Sequence, residues 1–403
     1  MPGTPPRANE AGGFRKKRGP GILQRQGRAT LLWALAGWVL FQAGLRLGID
    51  LCWPQLRDPT FEIKARRLAR LIASSPEPPV TVIMVGSSVT SNAFKATSLE
   101  GLLARETGRR ALVLNMSSYG SGPLTELLWT GRLLRRGIRP DLVCIEFTPL
   151  FYNHSGPPVD AGRLPEYLLS AADLEIMERY GGDPDLRRKW WEGRWVPAYT
   201  HRLTILNYLA APLVPVRDRI ATWGGAIDER FWAPLEPRPP DELRAVLGRL
   251  RIQFSNDLRT FTPGESSLRA MEELLALLEQ EGVPAAVVLA PQGPTVRGLY
   301  PKDDLAGLVR EVARLSRRYG CPFIDAFDWL GEEMFADSIH PTVAGADLFS
   351  ARLAREVLLP ALLGSPQGPT LQLAGGQAGM VGPAAAARVP NALTSRRNER
   401  QRR

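Results

Sequence analysis

Residues 80–94 read VTVIMVGSSVTSNAF. Six residues of Val, Thr, Ile and Met run without a charge into Gly86, Ser87 and Ser88, and polar residues follow. A run that is apolar throughout, instead of alternating, suits a strand buried on both faces, as in a parallel sheet covered by helices. Gly86 permits a tight turn at the strand end. Ligands of such sheets bind beyond the carboxyl ends of the strands, so Ser88 stands where a nucleophile would be useful. Most serines in this setting merely cap a following helix, and the stretch needs a partner elsewhere in the chain.

Outward from this stretch, apolar strand-like runs are expected at 111–114, 142–147, 284–289 and 322–324. Helical patterns fall at 99–105, 125–136, 267–281, 304–318 and 342–357. Strands alternating with helices predict one α/β domain over 80–364, with a parallel sheet between helical layers. Residues 150–265 interrupt the order and are rich in Trp, Pro and Arg. They are expected to form a helical insert that leaves the sheet after the third strand. Trp190, Trp191 and Trp195 are its candidates for stacking on a sugar ring, with core packing as the alternative.

The partner for Ser88 lies at 335–349, FADSIHPTVAGADLF. A serine nucleophile needs a base, and the base needs a carboxylate to orient it. Asp337 and His340, three apart on a turn before a helix, suit those roles.

The net charge of +10 is concentrated at the ends. Residues 1–30 hold seven basic residues and one acid, and residues 365–403 hold six and one, so the remainder is near neutral. The segments 1–28 and 365–403 read as disordered basic tails, and no nucleic-acid partner is expected. Residues 29–45 contain no charge, and 29–53 is long enough for one transmembrane helix. A cleaved signal peptide fits less well, because the apolar run is long and no small-residue cleavage site follows. Residues 54–79 read as a linker. The expected placement is a single-pass membrane protein in contact with lipid, its domain outside the cytoplasm. Three scattered cysteines imply no disulfide framework, and with only three histidines no Cys/His metal cluster is visible.

Together these blocks resemble the SGNH/GDSL hydrolase family. Gly86-Ser87-Ser88 matches its nucleophile block and Asp337-Ser338-Ile339-His340-Pro341 its base block. Asn115-Met116-Ser117-Ser118-Tyr119-Gly120 fits its second block, an Asn five residues before a Gly. The resemblance implies a flavodoxin-like three-layer fold and three catalytic residues, Ser88, Asp337 and His340. It also implies an oxyanion site formed by the amides of Ser88 and Gly120, and no cofactor. The family's third block departs: Leu150 falls where an oxyanion-facing Asn is expected, with Thr148 or Asn153 as the nearby substitutes. The implied activity is a serine esterase or O-acyltransferase acting on acyl esters, including those of cell-envelope carbohydrate. In this it is similar to membrane-anchored relatives in alginate acetylation and lipoteichoic-acid D-alanylation. The alternative is a catalytically silent scaffold of the same fold in envelope polymer assembly.

Overall fold

The computed structural model describes residues 22–153, 158–215, 227–258 and 261–363. The first helix is α1 (Ile22–Leu51), so residues 22–28 of the expected N-terminal tail are helical. The rest of that tail and the C-terminal tail, 365–403, lie outside the described residues. Next comes α2 (Pro59–Ala73), then β1 (Val80–Gly86), α3 (Ser88–Ala93), α4 (Ala96–Thr107), β2 (Ala111–Ser117), α5 (Pro123–Arg135) and β3 (Leu142–Phe147). The insert carries α6 (Ala171–Tyr180), α7 (Leu186–Gly193), α8 (Pro197–Thr200), α9 (Arg202–Ala210) and α10 (Pro240–Leu258). The sheet then resumes through α11 (Glu265–Gln280), β4 (Ala285–Leu289), α12 (Pro294–Arg297), α13 (Lys302–Arg318), β5 (Phe323–Asp325), α14 (Val343–Leu353) and α15 (Leu359–Leu363).

The five strands are parallel in the order β2-β1-β3-β4-β5. Alternate residues of β1 serve opposite cores. Ile83 and Val85 pack with Leu68, Leu127, Met271 and Val312 of α2, α5, α11 and α13. Val82 and Met84 pack with Leu99, Leu103, Phe349 and Leu353 of α4 and α14. This is the three-layer, flavodoxin-like parallel α/β fold expected from the sequence, with one N-terminal helix apolar and long enough to cross a membrane. The chain moves from β1 outward to β2 and then returns to the other side of β1 as β3. The crevice between the carboxyl ends of β1 and β3 is therefore the topological switch point.

The expected linker at 54–79 is corrected, because α2 fills most of it. Asp58 caps it by accepting from the Phe61 amide at 3.1 Å, and Pro59 occupies its first turn. Phe61, Ala65 and Leu68 are buried against the sheet. A charged network ties α2 to α5 and the insert. Arg132 pairs with Asp173 at 3.0 Å, with Asp58, and with the Leu168 carbonyl at 3.0 Å. The insert has its own small core of Leu164, Leu169, Leu174, Met177, Leu186 and Trp190, packed on Leu124 and Leu128 of α5.

Candidate active site

The carboxyl end of β1 delivers Ser87 and Ser88 into the first turn of α3. Gly86 is required there, since a Cβ would lie 2.3 Å from Thr90 Oγ1 and 2.6 Å from Glu146 Oε2. Glu146, buried near the end of β3, gathers this turn. It accepts from the Ser87 amide (2.9 Å), Ser87 Oγ (2.6 Å), the Thr90 amide (2.9 Å), Thr90 Oγ1 (2.6 Å) and Thr148 Oγ1 (2.6 Å). Ser87 Oγ in turn accepts from the Val89 amide at 3.1 Å. The amides of Ser87, Val89 and Thr90 are thus engaged, while the Ser88 amide has no acceptor among the described residues. An unspent N–H at a helix start is a ready donor to developing negative charge.

Ser88 Oγ lies 2.8 Å from His340 Nε2, and His340 Nδ1 lies 2.8 Å from Asp337 Oδ2. The second Asp337 oxygen accepts from the amides of Ile339 (3.1 Å) and His340 (2.8 Å). Burial alone would raise the Asp337 carboxyl, but the hydrogen bonds and charge of His340 outweigh it and hold the group below its ordinary value. Between the two, Ser338 sits in the left-handed region at φ 67°. Such a backbone is costly outside glycine and persists only when its surroundings enforce it. Here Ser338 O accepts from the Gly293 amide at 2.7 Å, and Ser338 Oγ accepts from the Val296 amide at 3.3 Å.

Gly120 follows β2 at φ 70°, and its amide has no acceptor among the described residues. Arg163 of the insert lies against it: a Cβ at Gly120 would fall 1.6 Å from Arg163 Nη1. The two residues share a small cavity of about 70 Å³ with Ser118, Tyr119, Thr125 and Trp129. Asn115 of the second block is structural. Its Nδ2 donates to the carbonyls of Thr90 (2.8 Å) and Phe94 (3.1 Å), and its Oδ1 accepts from the Ser117 amide at 3.2 Å.

Lys64 of α2, which nothing in the sequence marked as part of a site, reaches the same strand end. Its Nζ donates to the Asn115 carbonyl (3.0 Å) and the Ser117 carbonyl (2.7 Å), and burial lowers it to about 7. In the third block, Leu150 is half-buried against the core. Thr148 donates to Glu146, and Asn153 accepts from the Thr262 amide at 3.0 Å, so both nearby substitutes hold structure.

The three tryptophans do not gather at this site. Trp190 is buried, its Nε1 donates to the Leu169 carbonyl at 3.0 Å, and its ring packs against Trp191 and under Arg194. With its faces covered, the sugar-stacking role expected of Trp190 is corrected to core packing. Trp191 carries Arg46 of α1 over its ring at 4.8 Å, and Trp195 is exposed. None of the three lines the cavity beside Gly120. No group of three or more Cys, His, Asp or Glu side chains suited to hold a metal occurs among the described residues.

The sheet order is that of a flavodoxin-like parallel α/β domain, and the first and last of the three sequence blocks meet where Ser88 Oγ touches His340 Nε2. Neither a family model nor a curated protein sequence matches the chain. Among solved structures it is similar to TesA, at 13% identity and a TM-score of 0.35 over 70% of this chain and 97% of that one. It is also similar to a lipase/acylhydrolase from Enterococcus faecalis, at 12% identity and a TM-score of 0.31 over 69% and 94%. A third is an acetylxylan esterase, Axe2, from Geobacillus stearothermophilus, at 11% identity and a TM-score of 0.33 over 68% and 92%.

Proposed function

We propose that the chain is a membrane-anchored serine esterase or O-acyltransferase of the SGNH type. The observation that carries this is the hydrogen-bonded chain from Ser88 Oγ through His340 to Asp337, with a 2.8 Å link on each side of the imidazole. In this reading Ser88 Oγ attacks the carbonyl carbon of an acyl ester, and its proton passes to His340 Nε2. Asp337 holds the Nδ1–H tautomer and stabilises the imidazolium. The tetrahedral oxyanion is met by the amides of Ser88 and Gly120. Collapse expels the alkoxide, which takes the proton from His340 and leaves an acyl-serine. Water, activated by the same imidazole, then releases the acid; a sugar hydroxyl in its place receives the acyl group.

The substrate we favour is an acyl ester of an envelope carbohydrate held near the bilayer. Its support is α1, whose apolar window is only 11% buried and is left for lipid. The domain then lies on the non-cytoplasmic side. A fluorophosphonate probe tests the chemistry: wild-type protein should be labelled and Ser88→Ala protein should not. The second reading, a silent scaffold, draws on Leu150 standing where an oxyanion donor is expected. Folded wild-type protein that neither takes the probe nor cleaves p-nitrophenyl acetate would favour that reading.

A further inference from the structure

A helix that is apolar on every face is ordinarily sunk in a core or a membrane. Residues 195–213 read WVPAYTHRLTILNYLAAPL, in which Arg202 is the one formal charge. They include α8 and α9, yet no residue of α9 is buried. Trp195, Tyr199, Leu203, Leu206, Leu209 and Leu213 are exposed, with Trp195, Leu209 and Leu213 at 76%, 79% and 76%. Single exposed apolar residues are unremarkable on protein surfaces, but a run of this length marks an interaction face.

What covers this face follows from where the run begins. Gln42 of α1 is buried and its Oε1 accepts from the Ala198 amide at the start of α8, at 3.2 Å. Arg46 lies over Trp191, and Asp50 pairs with Arg194. Positions 42, 46 and 50 form one stripe of α1, so the insert runs down the side of that helix. Gln42 lies nine residues before the end of α1, about 14 Å back along its axis at 1.5 Å per residue. It also lies inside the uncharged run 29–45. The insert therefore descends to the depth of the apolar segment instead of stopping above it.

We infer that residues 195–213 form a second membrane contact, lying in the interfacial layer of the bilayer that α1 crosses, on the side bearing the domain. This rests on the reading of α1 as a membrane anchor and adds an in-plane element to it. Trp195 and Tyr199 suit the headgroup boundary, and the leucines suit the acyl region. Arg202, stacked at 4.1 Å over Tyr199, is long enough to reach the headgroups. Three of the local polar side chains spend donors internally, which lowers their cost in an apolar setting. Thr200 Oγ1 donates to the Gly193 carbonyl (2.7 Å), Arg202 Nη1 to the Tyr199 carbonyl (2.7 Å) and Asn207 Nδ2 to the Leu203 carbonyl (2.9 Å).

The test uses the full chain in phosphatidylcholine–phosphatidylglycerol nanodiscs. Bimane is placed singly at Leu209→Cys, at Trp33→Cys in α1, or at Leu348→Cys in α14, with parent protein correcting for native cysteines. Nitroxide-labelled lipid and aqueous iodide are the two quenchers. The expected result is that lipid quenches the 209 and 33 labels several-fold more than the 348 label. If lipid quenches the 33 label while iodide alone quenches the 209 label, the second contact is overturned and the anchor stands. A 209 label shielded from both quenchers means that a second copy or another protein covers the face, which also overturns the inference. If lipid reaches neither the 33 nor the 209 label, the anchor reading fails and this inference fails with it.

Discussion

Gly293 sits where the base-bearing turn has no slack. A methyl there would meet Ser338 Oγ at 2.4 Å and Ser338 Cα at 2.9 Å, and Ser338 is the left-handed residue between Asp337 and His340. Gly293→Ala should therefore lower kcat/KM on a small ester about tenfold or more, equivalent to at least ~1.4 kcal/mol of misplacement. Turnover unchanged by this substitution would mean that the turn can yield. Asp337→Asn should cost roughly two to four orders of magnitude in kcat by favouring the wrong imidazole tautomer. Because the folded Asp337 lies below its unfolded value, the stability it contributes is complete above the unfolded value and fades as pH falls through the folded one. Unfolding curves of wild type and Asp337→Asn should accordingly converge in acid; a gap that persists at pH 2 counts against this carboxylate. Ser88, Asp337 and His340, which hydrogen bonds join in the structure, were legible as candidates because each lies in a short local pattern. Glu146, Lys64 and Arg163 were not, since their meaning comes from contacts such as Glu146 with Ser87, 59 residues apart, and Lys64 with Ser117, 53 apart.

Among the elements, α2 is one that the sequence concealed. Its start signals, Asp58 before Pro59, and its apolar spacing at 61, 65, 68 and 72 are present. The Arg and Lys residues between them and the Pro-rich stretch that follows give the segment the look of a linker. Lys64 makes α2 matter to the site by holding the strand end that leads into Gly120. Lys64→Met should lower kcat more than it changes KM, with probe labelling slowed but retained. The ammonium of folded Lys64 titrates near 7 against 10.5 for an ordinary lysine, so the unfolded chain binds the extra proton between those values. Stability from this group therefore rises with pH across that window. Denaturation midpoints of Lys64→Met should lack that rise, and parallel wild-type and variant profiles would refute the assignment. In α5, buried Glu126 is pushed well above its ordinary value by desolvation and by neighbouring Glu146 and Asp160. It thus weakens the fold as pH climbs above the unfolded carboxylate value. Glu126→Gln should gain on wild type at pH 8 relative to pH 5, read as the difference in Tm.

For the molecule as a whole, the three-layer architecture was legible because each strand carries an uninterrupted apolar run, and the five strands found lie where those runs fall. The course of the insert was not, because α6 to α9 take their places from contacts with α1 and α5 that no local period encodes. If α1 is an anchor, full-length protein should resist alkaline carbonate extraction from membranes and retain peptides from residues 1–28. A soluble chain beginning after Trp53 would refute this. The passage from α1 to α2 is short and braced: the amides of Cys52 and Trp53 both return to the Gly48 carbonyl, and Arg57 pairs with Asp50 at 3.5 Å. In the anchored esterase we propose, so stiff a neck leaves no leash with which to sweep the space above the bilayer. On that proposal its working height would be set by the braced neck, the ester would have to be carried to that height by the substrate, and selection among otherwise similar esters would become a matter of altitude.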